Sequence, residues 1–491
     1  MITTAIEPFM NFGEIRNKGI LILGFGIEGQ ASYVAIRNEW PEQFILIADE
    51  KVYGDFEISD DLRAQIRQDT FARLYFGPSY LEGLAYADVL IKSPGIPPTH
   101  AALVMASSMC LPVTSHTELF FSQYALKNII GVTGTKGKST TTSLIHRILQ
   151  TAGRNALLAG NIGQPPPLAG KKTNGKDVVV FELSSHQLAP LRSSPHIAVL
   201  LNLYPDHLDY YTSIAEYAAA KENITKYQTA EDFLVYNCDD KIAVEIANRS
   251  RAKLIPFSRT QHLTVGCYLS GDHFVFREKA DDVSMVLPAM HGKLLGQFNF
   301  CNILAAVSVA AICGATSEQI VTGINNFEPL SHRIEPIGTY GGVEFYDDSI
   351  ATIPEATIAA LDALGNRVST LIAGGFDRGS GISFELLVAY LEQSSVRTLI
   401  LFPDTGVKIW ERLVARAHSP LKIQAFHVDN METAVKLAYQ HTERGEICLL
   451  SPASASFGLF KNFKDRGLQF KNNVVDIGRS VEEFSVEIPH G

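Results

Sequence analysis

At 491 residues the chain is too long for one core, and at roughly 150 residues per domain it is expected to hold three. Its 46% apolar and 19% charged residues describe an ordinary globular chain. The net charge of −10, with no long basic run, argues against nucleic acid or an anionic membrane as the main partner.

The six cysteines (Cys110, Cys238, Cys267, Cys301, Cys313, Cys448) show neither CxxC pairing nor metal-ligand spacing, so reduced thiols are expected. No basic run precedes Glu7 and Pro8, which is unlike a signal peptide. The longest apolar run, Ile303 to Ala315, is shorter than the ~20 residues that span a bilayer. It reads as a buried helix, and a soluble cytoplasmic protein is expected.

The first segment opens with a strand-like run, Gly19 to Leu23, entering G-x-G-x-x-G with Gly24, Gly26 and Gly29. A helix pattern follows over Gln30 to Asn38, then a strand over Phe44 to Ala48 that ends at Asp49. An acid about 20 residues beyond the glycines is the Rossmann arrangement. Alone, it is compatible with NAD, with another phosphate-bearing nucleotide, or with a glycine turn that only packs helix on strand. A further strand, Asp88 to Lys92, ends in Ser93-Pro94-Gly95-Ile96-Pro97-Pro98, a sharp loop where doubly wound sheets place ligands.

The second segment, from about His116, carries Gly131-Val132-Thr133-Gly134-Thr135-Lys136-Gly137-Lys138-Ser139-Thr140 between a strand-like run and a helix pattern over Thr141 to Leu149. Strand, glycine loop and helix together cradle a polyphosphate: backbone N–H groups face the anion, Lys138 adds a point charge, and Ser139 can hold Mg²⁺. The spacing departs from G-x4-G-K-[ST], because Val132 stands where the first glycine belongs. Asn161-Ile162-Gly163, a turn over Pro165 to Pro167 and an exposed loop over Gly170 to Lys176 follow. The strand Asp177 to Phe181 ends in Glu182-Leu183-Ser184-Ser185-His186-Gln187, and the strand Ile197 to Asn202 runs into Pro205-Asp206-His207-Leu208-Asp209. A helix carries Tyr217 to Lys221. The strand ends near 138, 182 and 202 are expected at one sheet edge, with Glu182 and His207 beside the phosphates as Mg²⁺ ligands. Taken alone, His207 is more ordinarily a core or surface histidine; Asp206 and Asp209 beside it after a strand, in a chain with a phosphate loop, favour the metal ligand.

The third segment follows Phe327-Glu328-Pro329 and alternates helix with strands at Val343 to Tyr346, Ser369 to Ala373, Thr398 to Phe402, Ile423 to Phe426 and Ile447 to Leu450. That is a further open α/β sheet. Its loops hold His332-Arg333, Asp347-Asp348-Ser349, Gly374-Gly375-Phe376-Asp377-Arg378-Gly379 and Ser451-Pro452-Ala453-Ser454-Ala455-Ser456.

Together these signatures resemble the Mur ligases, ATP-dependent amide-forming enzymes of peptidoglycan precursor synthesis. The resemblance covers nearly the whole chain. Its most specific parts are Gly134 to Thr140, Glu182 to Gln187, Asp206 to Asp209, Tyr217 to Lys221, His332-Arg333 and Ser451 to Gly467. It implies an α/β protein of three domains: a Rossmann-like domain for the uridine nucleotide (1–116), a central P-loop-type ATPase domain (117–329) and a Rossmann-like amino-acid domain (330–491).

The resemblance places Ile27, Glu28 and Asp49 around the uracil, Ser93 and Gly95 at the diphosphate, and Asn161, Ser184 and Gln187 at the muramoyl-alanine part. ATP would lie on Gly134, Thr135, Lys136, Gly137, Lys138, Ser139 and Thr140, with Asn299 and Asn302 at adenine, Asp348 at ribose and Arg333 at the γ-phosphate. Mg²⁺ would be held by Ser139, Glu182 and His207. Lys221 matches a lysine carbamoylated by CO₂, an anionic form able to bridge to a metal. Thr352, Ser456 and Phe463 match residues at the incoming glutamate. The implied catalytic set is Lys138, His207, Lys221 and Arg333. The substrates implied are UDP-N-acetylmuramoyl-L-alanine and D-glutamate, and a monomer is expected.

Three departures from the family pattern are read as falling on the amino-acid side and not the ATP side: Ile350 replaces a usual lysine, Phe298 a usual histidine, and Gly458 a usual aspartate. Arg378 is the candidate substitute charge for the glutamate carboxylates. Ile350 and the Gly26-Ile27-Glu28-Gly29 loop also suit a variant that adds L-glutamate. A folate polyglutamylase shares the T-G-T-x-G-K-[ST] loop but not the first glycine loop. A dehydrogenase would leave Lys138, Glu182 and His207 without work, and retention of these residues argues against a catalytically silent partner subunit. The implied chemistry is stepwise, through an acyl phosphate that the glutamate amine attacks, with domain closure around ATP beforehand.

Overall fold

The computed structural model describes residues 10–160, 162, 165–166, 168, 177–204, 210–280, 282–290, 292–377, 379, 382–417 and 420–486. The chain divides into two compact units, Met1–Met290 with Cys301–Asn326, and His291–Phe300 with Phe327–Gly491.

The first unit holds two sheets. Strands β1 (Ile20–Leu23), β2 (Ile45–Asp49), β3 (Ala72–Phe76), β4 (Val89–Lys92) and β5 (Val113–Ser115) lie in the order β3-β2-β1-β4-β5, all parallel. β1, β2 and β4 are continuous apolar runs, buried almost throughout, as strands covered by helices on both faces must be. The order reverses beside β1, so the loops that leave β1 and β4 face the crevice where such sheets bind ligands.

The second sheet comprises β6 (Ile129–Thr133), β7 (Ala156–Gly160), β8 (Val178–Glu182), β9 (Ile197–Leu200), β10 (Phe233–Asn237), β11 (Lys253–Ser258), β12 (Gly266–Ser270), β13 (His273–Arg277) and β14 (Met285–Pro288). The order is β14-β13-β12-β11-β10-β9-β6-β8-β7, parallel except for the antiparallel pairs β12–β13 and β13–β14. β6 lies between β8 and β9, with Val132 level with Glu182 and Thr133 level with Leu200. The expected convergence of strand ends at one edge is therefore present.

Both helices after the glycine loops start earlier than apolar periodicity indicates, at Ile27 rather than Gln30 and at Lys138 rather than Thr141. Their first turns carry no regular apolar face, because those residues serve the loop and not the core. The Asn299–Ile312 helix buries Ile303 to Val307 almost completely, as its apolar run required. Among the described residues no helix is long and apolar enough to cross a membrane.

The second unit is built on β15 (Glu335–Tyr340), β16 (Val343–Asp347), β17 (Val368–Gly375), β18 (Thr398–Asp404), β19 (Gln424–His427) and β20 (Ile447–Leu450), ordered β15-β16-β20-β17-β18-β19. Only the β15–β16 pair is antiparallel. The central strands β16, β20 and β17 deliver the loops beginning at Asp348, Ser451 and Phe376 to a single edge. The last helix, Phe463–Val486, covers this sheet through Phe470 and Val474, which share a core with Phe345 and Leu450.

Candidate active site

In the first unit the chain leaves β6 through Gly134 (φ 156°) and Gly137 (φ 85°) and enters the Lys138–Thr151 helix directly. A side chain at Gly137 would put a Cβ 2.3 Å from Asn302 Oδ1, so this glycine is needed both for its backbone angle and for that approach. Asn302 Oδ1 also accepts from Thr141 Oγ1 at 3.2 Å.

The loop is fastened from behind by Asn202. Its Oδ1 accepts from Lys136 N at 2.8 Å, its Nδ2 donates to Lys136 O at 3.0 Å, and its carbonyl accepts from Thr135 N at 2.7 Å. Lys138 Nζ donates to the Gly134 and Thr135 carbonyls, both at 2.9 Å, which lays the ammonium across the loop. Thr140 is buried, and Ser139 is partly exposed in the first helical turn. Lys221, otherwise an ordinary helix lysine, is 1% exposed beneath the loop. Its Nζ donates to Gly134 O at 3.0 Å and Thr133 Oγ1 at 3.2 Å and lies 4.8 Å from the Tyr217 ring centroid. Glu182 ends β8, buried at the same edge. His207 and Asn161 lie outside the described residues.

At the first sheet, a Cβ on Gly29 would fall 2.1 Å from Gly24 O, so the third glycine lets the helix press on the strand. A Cβ on Gly26 would meet nothing within 4 Å, which leaves that face of the loop open. Asp49 binds the loop itself: Oδ2 accepts from Phe25 N at 2.8 Å and Oδ1 from Lys51 N at 2.9 Å. Ser93 Oγ donates to Gly24 O at 2.8 Å, and Gly95 lies in the turn closed by Ile96 N to Ser93 O at 3.2 Å. Ile27 is 72% exposed at the mouth of the loop, an apolar surface available to a flat base.

Glu28 joins the two sheets. Its Oε1 accepts from Gln187 Nε2 at 2.6 Å, and Gln187 in turn closes a capping box with Ser184. Burial pushes the Glu28 carboxyl up to about 7, opposed by the Gln187 hydrogen bond and the Lys92 charge. Glu118 is likewise pushed up to about 7 by burial, and burial holds Lys92 below its usual range against the pull of Glu118 and Glu28.

In the second unit His332 (φ 65°) and Ile334 (φ 45°) hold the left-handed backbone on either side of Arg333, as does Ala453 (φ 55°) in the loop after β20. Such conformations persist only where surrounding structure enforces them, and they gather at functional sites. His332 Nδ1 lies 2.7 Å from Oδ2 of the fully buried Asp347, whose Oδ1 accepts from Ser349 N at 2.9 Å. Glu335 accepts from His332 N and from Lys471 Nζ, both at 2.7 Å. His332, Glu335 and Asp347 bring ligating atoms within 4.8 Å of one another, but protein groups already engage every one of those carboxylate oxygens.

Asp348 is 4% exposed and accepts from Ser451 Oγ at 2.8 Å and Ile334 N at 3.2 Å. Burial pushes it up to about 7, against the Ser451 hydrogen bond and the Arg333 charge. Thr352 is half-buried, Ser456 buried, and Phe463 opens the last helix. Asn299 Nδ2 donates to Leu295 O at 2.6 Å. Arg378 lies outside the described residues; beside it, Asp377 pairs with Lys408.

The residues that organise this second site were not singled out by sequence reasoning. Arg466 is completely buried. Its guanidinium donates to Ser349 Oγ (3.0 Å), Ser349 O (2.8 Å), Ser454 O (3.1 Å) and Ala455 O (3.3 Å), while Ser349 Oγ donates to Phe463 O at 2.8 Å. A Cβ on Gly467 would fall 2.1 Å from His332 Nδ1 and 2.6 Å from Asp347 Oδ2. Only the fold reveals that an arginine on a mixed-polarity helix faces inward.

Comparison with known proteins agrees with this arrangement. The family model of the Mur ligase middle domain matches residues 132–310, and that of the Mur ligase glutamate ligase domain matches residues 332–454. The chain is 34% identical over 473 residues to UDP-N-acetylmuramoylalanine--D-glutamate ligase of Listeria monocytogenes, covering 95% of this chain and 98% of the relative. It is 36% identical over 455 residues to the protein of the same name from a Geobacillus species, covering 92% and 96%. Among solved structures, UDP-N-acetylmuramate-alanine ligase of Thermotoga maritima shares the fold with a TM-score of 0.59 at 18% identity, over 94% of this chain and 100% of that one. The MurF ligase of Thermotoga maritima in complex with ADP gives 0.56 at 16% identity, over 95% and 97%. The chain therefore belongs to the Mur ligases, the ATP-dependent, ADP-forming amide ligases of peptidoglycan precursor synthesis.

Proposed function

We propose that this chain joins D-glutamate to the alanyl carboxylate of UDP-N-acetylmuramoyl-L-alanine at the expense of ATP. The observation that carries the reading is the phosphate loop with Lys138 laid across it, Lys221 buried beneath it and Glu182 at the same sheet edge. The names of its relatives support the D-isomer and the nucleotide substrate.

The open face at Gly26 and the Ser93–Gly95 turn would receive the uridine diphosphate, with Ile27, Glu28 and Asp49 around the base. Asn161, Ser184 and Gln187 would hold the muramoyl-alanine part. Backbone N–H groups of Gly134 to Thr140 would hold the ATP phosphates, with Asn299 and Asn302 at adenine, Asp348 at ribose and Arg333 at the γ-phosphate. Ser139 and Glu182 offer hard oxygen donors, which suit Mg²⁺, with His207 as a further ligand. Bound there, the ion would neutralise charge on the transferring phosphoryl group. Lys221 is the residue for a CO₂-derived carbamate. Lys138 and Arg333 would stabilise the charge developing as the alanyl carboxylate takes the γ-phosphoryl group, giving an acyl phosphate. Thr352, Arg378, Ser456 and Phe463 would seat the glutamate that displaces the phosphate. We further assign the protein to the cytoplasm as a monomer, with domain limits near residues 116 and 329.

A second reading, addition of L-glutamate, is favoured by Ile350, where the family's usual lysine is missing from the amino-acid side, and by the Gly26-Ile27-Glu28-Gly29 loop. Phosphate release measured with UDP-N-acetylmuramoyl-L-alanine, ATP and each glutamate isomer separately decides between them. No release with either isomer overturns the ligase reading. Release with the L-isomer alone overturns the D-assignment.

A further inference from the structure

The amide-forming step requires glutamate to attack as a neutral amine, whereas the free amino acid carries an ammonium group near neutral pH. Its proton must pass to a base. Among the described residues at the amino-acid end of the second unit, one group has the geometry of a base.

We infer that His332 is the general base of the amide-forming step, with Nε2 taking the proton from the glutamate amine and Asp347 holding the imidazole in position. The proposal rests on the ligase reading above.

The His332 ring is fixed at one nitrogen and open at the other. Nδ1 meets Asp347 Oδ2 at 2.7 Å, and Asp347 is fully buried with its second oxygen held by Ser349 N at 2.9 Å. A buried carboxylate at Nδ1 fixes the tautomer that leaves Nε2 as acceptor and stabilises the imidazolium that forms. His332 Nε2 has no hydrogen-bond partner among the described residues and is not among their sealed-off polar atoms; the side chain is 12% exposed. A structural histidine would normally use both nitrogens.

The surroundings place this dyad at the proposed glutamate residues. The His332 ring meets the Phe463 ring edge-on, 6.2 Å between centroids, and the His332 carbonyl accepts from Ile350 N at 3.1 Å. Two features maintain the arrangement despite its strain. His332 stands at φ 65°, and Gly467 has no side chain where one would run into Nδ1. The other charged groups about the ring are Glu335, neutralised by Lys471, Arg333 and Asp348 beside it in the chain and loop, and buried Arg466 behind Asp347 and Asp348.

The step balances. As the glutamate nitrogen attacks the acyl carbon, the C–N bond forms and the C–O bond to phosphate breaks. His332 Nε2 takes the ammonium proton before attack and passes it to solvent, and phosphate, departing with that electron pair, carries off the second proton that the nitrogen loses as it becomes an amide.

The test uses His332→Gln in the full chain with two nucleophiles. Glutamate transfer is expected to fall by about 10²–10⁴-fold. Hydroxamate formation from hydroxylamine, which is already neutral near pH 7, is expected to stay at the wild-type rate. The acid limb of the wild-type pH profile of kcat/KM for glutamate is expected to disappear. Asp347→Asn is a second, milder variant, expected to shift that limb to lower pH while hydroxamate formation persists.

Glutamate transfer retained within threefold overturns the proposal. So does a parallel fall of both products, or an Asp347→Asn limb that does not move. If wild-type protein makes neither amide nor hydroxamate, it is the ligase reading that fails.

Discussion

The candidate sites of the two units are built by opposite strategies. The phosphate loop of the first unit is a single contiguous stretch, Gly134 to Thr140, whose backbone angles and helix entry are set locally; Asn202, Asn302 and Lys221 only fasten it. The site in the second unit has no such nucleus. Its residues arrive on the loops after β16 and β20 and on the last helix, and are drawn together by Arg466. The first kind of site tolerates change around it while its own residues remain. The second depends on groups that need not touch substrate.

The largest expected effect tests the contiguous loop. Lys138→Ala should lower phosphate release by about 10²–10³-fold, as loss of one positioned charge in phosphoryl transfer does, with little change in the melting temperature. A variant that stayed active would remove the phosphate-loop argument.

Arg466→Met probes the dispersed site. Four acceptor atoms on two loops would lose their donors, at a cost of about 3 kcal/mol, which corresponds to a fall in Tm on the order of 10 °C. Calorimetry should show it, while titrated binding of the uridine nucleotide, for which Ile27, Glu28, Asp49, Ser93 and Gly95 of the first unit are proposed, stays near wild type. Equal damage to both would mean that the two sites are not built differently.

Gly137→Ala should be milder. It combines a Cβ 2.3 Å from Asn302 Oδ1 with a backbone at φ 85°, and a strain of ~1–2 kcal/mol would weaken ATP binding about tenfold. Titration with ATP checks it, and an unchanged affinity would mean that the Asn302 side chain and the loop backbone both yield to the added methyl group.

The smallest effect concerns the clasp between the first two sheets. Glu28 is pushed up to about 7 in the folded protein from its ordinary 4.5. Between those values the folded state holds a proton that the unfolded chain has released, so stability falls as pH rises through this window. Glu28→Gln should flatten the decline of Tm between pH 5 and 8 and raise Tm by a few degrees at pH 8. A parallel decline in both proteins would place the Glu28 carboxyl in its ordinary range.

Much was legible before any coordinates. The central strands of the three α/β sheets followed from apolar runs and turn residues, because a strand buried on both faces writes itself as consecutive Val, Ile and Leu; edge strands such as β3, β5 and β12 to β14 did not. Both glycine loops could be located because φ > 0, close backbone approach and N–H exposure are properties of a few contiguous residues. The burial of Ile303 to Val307 was legible for the same reason.

The strand order was not, nor was which charged side chain turns inward. Lys221 and Arg466 lie on helices whose sequences also accommodate a solvated lysine or arginine. What decides is the set of acceptors waiting beneath them, supplied in one case by the Thr133 hydroxyl and the Gly134 carbonyl and in the other by Ser349, Ser454 and Ala455. Likewise the pairing of His332 with Asp347 depends on a strand, a loop and a missing side chain at Gly467. The chain alone therefore determined the strand–glycine loop–helix turns at Gly24 to Gly29 and at Gly134 to Thr140, since local backbone chemistry makes them. The tertiary structure alone decided which groups are buried, fixed and left open around them, because those properties belong to contacts between residues distant in sequence.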